Sequence, residues 1–118
     1  MVTVALDAMG SDRGPEVAVA GAAQVSLSPG APDVVLVGDE AVLRRLLLVT
    51  PHERAHVRVV HAPRVVAQDD KPKEALDAMP DCSILRAAEL VARGEADVLV
   101  SAGNTGAVTL ACARTFRR

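Results

Sequence analysis

Residues 98–107 read VLVSAGNTGA. An apolar, strand-like run ends at Ser101, Gly103 and Gly106 bracket Asn104 and Thr105, and a helix-like segment follows. The first amides of a helix have no partner within it and lie at its positive end, so a strand-to-helix turn of this kind suits an anion. Gly103 and Gly106 let the backbone approach a ligand with no Cβ in the way. Asn104 and Thr105 can add side-chain donors. The same residues serve equally as a tight turn that caps a helix, a role Asn and Thr fill well.

LDAMGSDRGP, residues 6–15, repeats the logic. Asp7 closes a strand-like run, Gly10 and Gly14 bracket a polar loop holding Asp12 and Arg13, and Pro15 opens a helix. Arg13 can pair with phosphate or carboxylate. The competing reading is an ordinary loop in which Asp7 or Asp12 caps the helix. DDKPKEAL, residues 69–76, offers Lys71 and Lys73 beside a proline. Lys71 is the better phosphate-facing charge because Pro72 fixes the chain next to it, although a loop lysine is ordinarily solvated. His52, His56 and His61 fall partly on a strand with no completing acid or cysteine, so no metal site is expected. Cys82 stands at a helix start, where a thiol can become acidic, but a structural cysteine is the plainer reading. The lysine and hydroxyl of a P-loop are missing after Gly14, and SAGNTG lacks the dinucleotide glycine spacing.

These loops need elements to carry them. Strands are expected at 2–7, 33–38, 56–62 and 96–103. Helices are expected at 15–27, 39–49, 81–94 and 104–116, with Asp81 as a cap and Gly94 as a stop. Residues 63–81, with Pro63, Pro72 and Pro80, read as a long loop holding one helical turn near PKEAL. Apolar strands alternating with helices imply an α/β fold, a doubly wound, mostly parallel sheet covered on both faces. Ligands of such sheets bind beyond the carboxyl ends of the strands. Asp7 and its loop, Gly38–Asp39, the 63–81 loop and Ser101–Gly106 then share one rim.

Composition narrows the function. The 118 residues hold one Phe and no Trp or Tyr, and 13 basic against 15 acidic residues leave a formal charge of −2. Stacking platforms and a basic field are both lacking, so nucleic acid is not an expected partner. The N-terminus has neither the basic start nor the apolar run of a signal peptide, and no stretch nears the ~20 apolar residues of a membrane span. Two distant cysteines fit a reduced, cytoplasmic setting. The chain stops at Arg118 inside or just after its last helix, and it is expected to be the N-terminal part of a longer protein.

Four blocks, ALDAMGSDRGPEV, VLVGDE, DDKPKEAL and ADVLVSAGNTGAV, resemble in order and spacing the phosphate acyltransferase (PlsX) family of bacterial phospholipid synthesis. The resemblance spans essentially the whole chain. It implies a fold similar to phosphotransacetylases and the isocitrate dehydrogenase group, here the N-terminal part of a single acyltransferase domain. It implies transfer of a fatty acyl group from acyl carrier protein to inorganic phosphate, giving an acyl phosphate. It implies no metal or organic cofactor, a homodimer at full length, and peripheral membrane association through a later region. The phosphate-binding residues then expected are Asp7, Gly10, Asp12, Arg13, Gly14, Lys71, Ser83, Ser101, Gly103, Asn104, Thr105 and Gly106, with the catalytic groups beyond residue 118. Where the family usually has a basic run and a serine pair, this chain has Asp77, Asp81 and the single Ser83. Taken alone, the 118 residues are expected to show little or no acyl transfer. Two other readings are a phosphotransacetylase-like enzyme using acyl-coenzyme A and an inactive, phosphate-binding α/β fragment.

Overall fold

The computed structural model describes residues 2–10 and 13–116; Asp12 lies outside them. Four strands, β1 (Thr3–Asp7), β2 (Asp33–Gly38), β3 (Val57–His61) and β4 (Val98–Ser101), pair in parallel in the order β3-β2-β1-β4. Five helices, α1 (Pro15–Ser26), α2 (Glu40–Leu48), α3 (Pro72–Ala78), α4 (Ser83–Ala92) and α5 (Thr105–Thr115), lie among them, with a 3-10 turn at Arg54–His56. Every expected strand and helix is present. The segment expected as a loop with one helical turn instead holds α3, which packs Ala75 and Leu76 against α4 and α5.

Local chemistry explains the helix ends. Gly14 precedes α1 at φ +67°, a conformation that side chains rarely adopt, and Pro15 then sets the first helical φ. Asp39 caps α2 by accepting hydrogen bonds from the Ala41 and Val42 amides. At the end of α4, Gly94 takes φ +77°, its N–H bonds Val91 O, and Glu95 N–H reaches Leu90 O, a Schellman closure. Asp81 is not the cap expected for α4. Cys82 occupies that position, and Asp81 pairs with Arg64 at 2.8 Å.

The sheet's alternation sorts its side chains into two layers. Val35 and Val37 meet Ala87 and Leu90 of α4, while Val34 and Leu36 meet Val19 and Ala22 of α1 and Leu43 of α2. β2 is therefore buried on both faces, as its unbroken apolar run requires. Coverage is less complete toward β4. Register puts Val98 and Val100 beside Val4 and Leu6 on the α1 side of the sheet, and both valines remain nearly half exposed. The expected covering of both faces is present and is most complete over β2; it thins toward β4 because α1 and α2 lie over β2 and β3. Among the described residues no helix is long and apolar enough to cross a membrane, and no group of three or more His, Cys, Asp or Glu could hold a metal.

Leu36 is fully buried between α1 and α2. Leu36→Ala is expected to lower stability by about 2–5 kcal/mol, read as a fall in the urea midpoint at constant slope.

Candidate functional site

β1 and β4 are neighbours, but their following helices leave in opposite directions. The chain after β1 passes to α1 on one face, while the chain after β4 passes to α5, which packs against α3 and α4 on the other. Such a reversal opens a crevice at the carboxyl ends of the strands, the usual ligand position in open parallel sheets. Strand register brings Asp7 opposite Ser101 and Gly38 opposite His61, so the rim expected from the sequence is assembled there.

Two backbones meet in this crevice. A Cβ built on Gly10 would lie 2.8 Å from Gly103 Cα, and one on Gly103 would lie 3.2 Å from Gly10 Cα. Beneath that contact, the Ser101 hydroxyl donates to Asp7 Oδ2 at 3.0 Å and accepts from Gly103 N–H at 3.1 Å. Asp7 is buried and also receives the Met9 N–H at its other oxygen. Asp7 and Ser101 thus hold the two loops together from below.

The sequence offers Asn104 as a donor to a ligand, and the structure gives its donors to the protein instead. Its Nδ2 lies 3.0, 3.2 and 2.9 Å from the carbonyls of Ala67, Gln68 and Asp70, and its Oδ1 caps α5 through Ala107 N–H. The three carbonyls meet an NH2 with only two hydrogens, so the nitrogen has no capacity left for an anion. The 67–70 loop is thereby drawn over the start of α5. Pro72, just after it, fills the space above Gly106, where a Cβ would come 2.6 Å from Pro72 Cγ. The missing side chains of Gly10, Gly103 and Gly106 therefore make room for other parts of the protein.

What stays open is backbone. Gly103 N–H is taken by Ser101, and Ala107 and Val108 N–H close on Asn104. The amides of Thr105 and Gly106 donate to no other described residue, and both residues are exposed. Arg13 and Lys71 are exposed and form no ion pair among the described residues, whereas Lys73 bonds Asp77, which also holds Arg114 of α5. Lys73 first, then Arg114, keeps the Asp77 carboxyl below its ordinary value.

Ser83 stands apart from the other serines. It begins α4, whose first turn packs beside that of α5 through Cys82, Ile84 and Ala107, and its N–H donates to Arg64 O. Its hydroxyl is completely buried and has no hydrogen-bond partner among the described residues. A buried hydroxyl left unpaired costs about 1–3 kcal/mol. Next to it, burial pushes the Cys82 thiol above its ordinary value of 9.0. A helix start commonly acidifies a thiol, but desolvation dominates here. Gln68, which no motif marks, also belongs to the site: its side chain reaches both crevice loops.

A family model described as fatty acid synthesis protein matches residues 2–117. The chain belongs to this family. It is 47% identical over 109 residues to a phosphate acyltransferase of Methylococcus capsulatus, covering 92% of this chain and 32% of that protein. It is 49% identical over 110 residues to a phosphate acyltransferase of Xanthobacter autotrophicus, covering 91% of this chain and 30% of the relative. A phosphate acyltransferase of Photobacterium profundum is 41% identical over 108 residues, again with 91% and 32% covered. The chain thus spans about a third of the length of the curated relatives it matches.

Two outcomes test the site's construction. Gly10→Ala and Gly106→Ala are each expected to cost about 1–3 kcal/mol by overpacking, measured by denaturant unfolding, whereas Gly21→Ala, with open space around it, is expected to cost nothing. For Cys82, the folded state holds the proton more tightly than the unfolded state. Its contribution is therefore full below pH 9.0 and is lost as pH rises through the higher folded value. Stability measured against pH should therefore fall from pH 9.0 up to that folded value, and Cys82→Ala should make the fall shallower; an unchanged slope would exclude this linkage.

Proposed function

We propose that this chain is the phosphate-facing, N-terminal part of a single-domain acyltransferase that moves a fatty acyl group from acyl carrier protein to inorganic phosphate. The observation that carries the reading is the pair of open amides, Thr105 and Gly106, at the start of an 11-residue helix beside the switch-point crevice. The relatives' shared name, phosphate acyltransferase, supplies the reaction class.

In this reading the two amides receive phosphate oxygens, and the buried Ser83 hydroxyl supplies a further donor from the neighbouring helix start. Arg13 and Gly14 stand on the opposite lip, and Lys71 adds a positive charge at the mouth. Asp7, Gly10, Ser101, Gly103 and Asn104 shape the crevice. A phosphate oxygen attacks the thioester carbonyl carbon, a C–O bond forms, and the C–S bond breaks. The sulfur leaves as a thiolate and takes a proton from solvent, giving acyl phosphate and free carrier thiol. A thiolate is a ready leaving group, so positioning and charge stabilisation suffice without a covalent enzyme intermediate. No metal or organic cofactor has a part in this scheme.

The proposal extends to a homodimer at full length and peripheral membrane association through a segment outside these residues, both implied by the resemblance, and to a cytoplasmic setting with no nucleic-acid partner, both favoured by composition. The relatives are about three times longer, which favours a division of labour in which these residues bind phosphate without turning over the thioester.

The test is a phosphate titration of the isotopically labelled chain, followed by NMR at the Thr105 and Gly106 amides. Saturable shifts at both are expected, weakened at least several-fold by Ser83→Ala. That substitution should leave folding stability equal or slightly higher, because it removes an unpaired buried hydroxyl. A chain whose two amides ignore phosphate would refute the reading. Acyl-phosphate formation by the 118-residue chain at the rate of a full-length relative would refute the division of labour.

A further inference from the structure

We infer that Gln68 is a positioning residue, whose side-chain amide clamps the loop after β1 to the loop after β4 and so fixes the open amides of α5; its bearing on anion binding rests on the reading above. Gln68 Nε2 lies 2.9 Å from Gly10 O and 3.3 Å from Ala102 O. These carbonyls belong to the two loops that leave the sheet toward opposite faces. Two carbonyl oxygens drawn together by the Gly10–Gly103 contact repel each other unless a donor stands between them. An NH2 group carries one hydrogen for each.

The clamp is itself held. The Gln68 carbonyl is one of the three that accept from Asn104 Nδ2, beside those of Ala67 and Asp70. Asn104 thus fixes the arc of the 67–70 loop, and that arc delivers Gln68 to the carbonyls of residues 10 and 102. Farther along, Lys71 becomes the N-cap of α3 and Pro72 covers Gly106. Displacing Gln68 therefore disturbs the first turn of α5 by two routes: through Ala102, two residues before its cap, and through Pro72 above it. Gln68 is itself exposed, so replacing it removes hydrogen bonds without opening a cavity in the core.

The experiment compares the wild-type chain with Gln68→Leu, Gln68→Glu and Gln68→Lys. Leucine removes the donors, glutamate turns acceptors toward two carbonyls, and lysine keeps a donor. Amide hydrogen exchange at Met9 and Gly103 reads the clamp without any ligand. Exchange there is expected to quicken about 10-fold in the leucine and glutamate variants, the scale of losing two net hydrogen bonds of modest strength. Lysine should restore slow exchange, and the Val35 and Leu36 amides should not change in any variant. Phosphate affinity at Thr105 and Gly106 should fall by a similar factor in the leucine and glutamate variants. Wild-type exchange at Met9 and Gly103 in both would overturn the clamp. So would wild-type phosphate affinity in both, as far as anion binding is concerned. A wild-type chain that ignores phosphate would remove the reading of the site, yet the exchange data would still decide the clamp. Should the glutamate variant fail to fold, the contrast between leucine and lysine decides the clamp in the same way.

Discussion

Gly10 and Gly103 touch backbone to backbone, and the rest of the crevice follows from that contact. The loops after β1 and β4 diverge toward opposite faces, so nothing in the sheet ladder keeps them together beyond the last strand pair. Their approach is held from below by Asp7 and Ser101 and from above by Gln68. A methyl group on Gly10 would collide with the Gly103 backbone, and one on Gly103 would press tightly on Gly10. Local freedom to turn matters less at these two positions than the absence of volume.

Much of the fold was legible because its signals are local. Unbroken runs such as DVVLVG announce a strand buried on both sides, and Asp39, Pro15 and Gly94 mark helix ends by mechanisms that operate within a few residues. α3 was harder to see. Its seven residues lie between prolines and carry too short a period, and the helix is secured by distant partners: Leu76 packs in the cluster that includes Ala107 and Ala111, and Asp77 bonds Arg114. Asp81 illustrates the converse error. It sits one residue too early to cap α4 and pairs instead with Arg64.

The candidate site was legible in part. The sequence located the rim, since parallel strands must present their carboxyl ends together. It could not assign the use of each donor. Asn104 fits a ligand contact and a structural brace equally well by residue type, and only the position of the 67–70 carbonyls decides for the brace. Gln68 left no signal, because its two acceptors lie 58 and 34 residues away. Ser83 was marked only by resemblance, and its unpaired, buried hydroxyl is a property of packing that no residue pattern encodes.

The brace formed by Asn104 also has a bearing on length. Exposed loops usually accept added or lost residues at little thermodynamic cost, since closure entropy grows slowly with size. The stretch from Ala67 to Asp70 is exposed, yet three of its four carbonyls converge on one nitrogen and its next proline seats against a helix. One inserted residue would throw at least one carbonyl off that nitrogen and shift the proline. Surface chain of this kind is as intolerant of insertion as the buried strands beneath it.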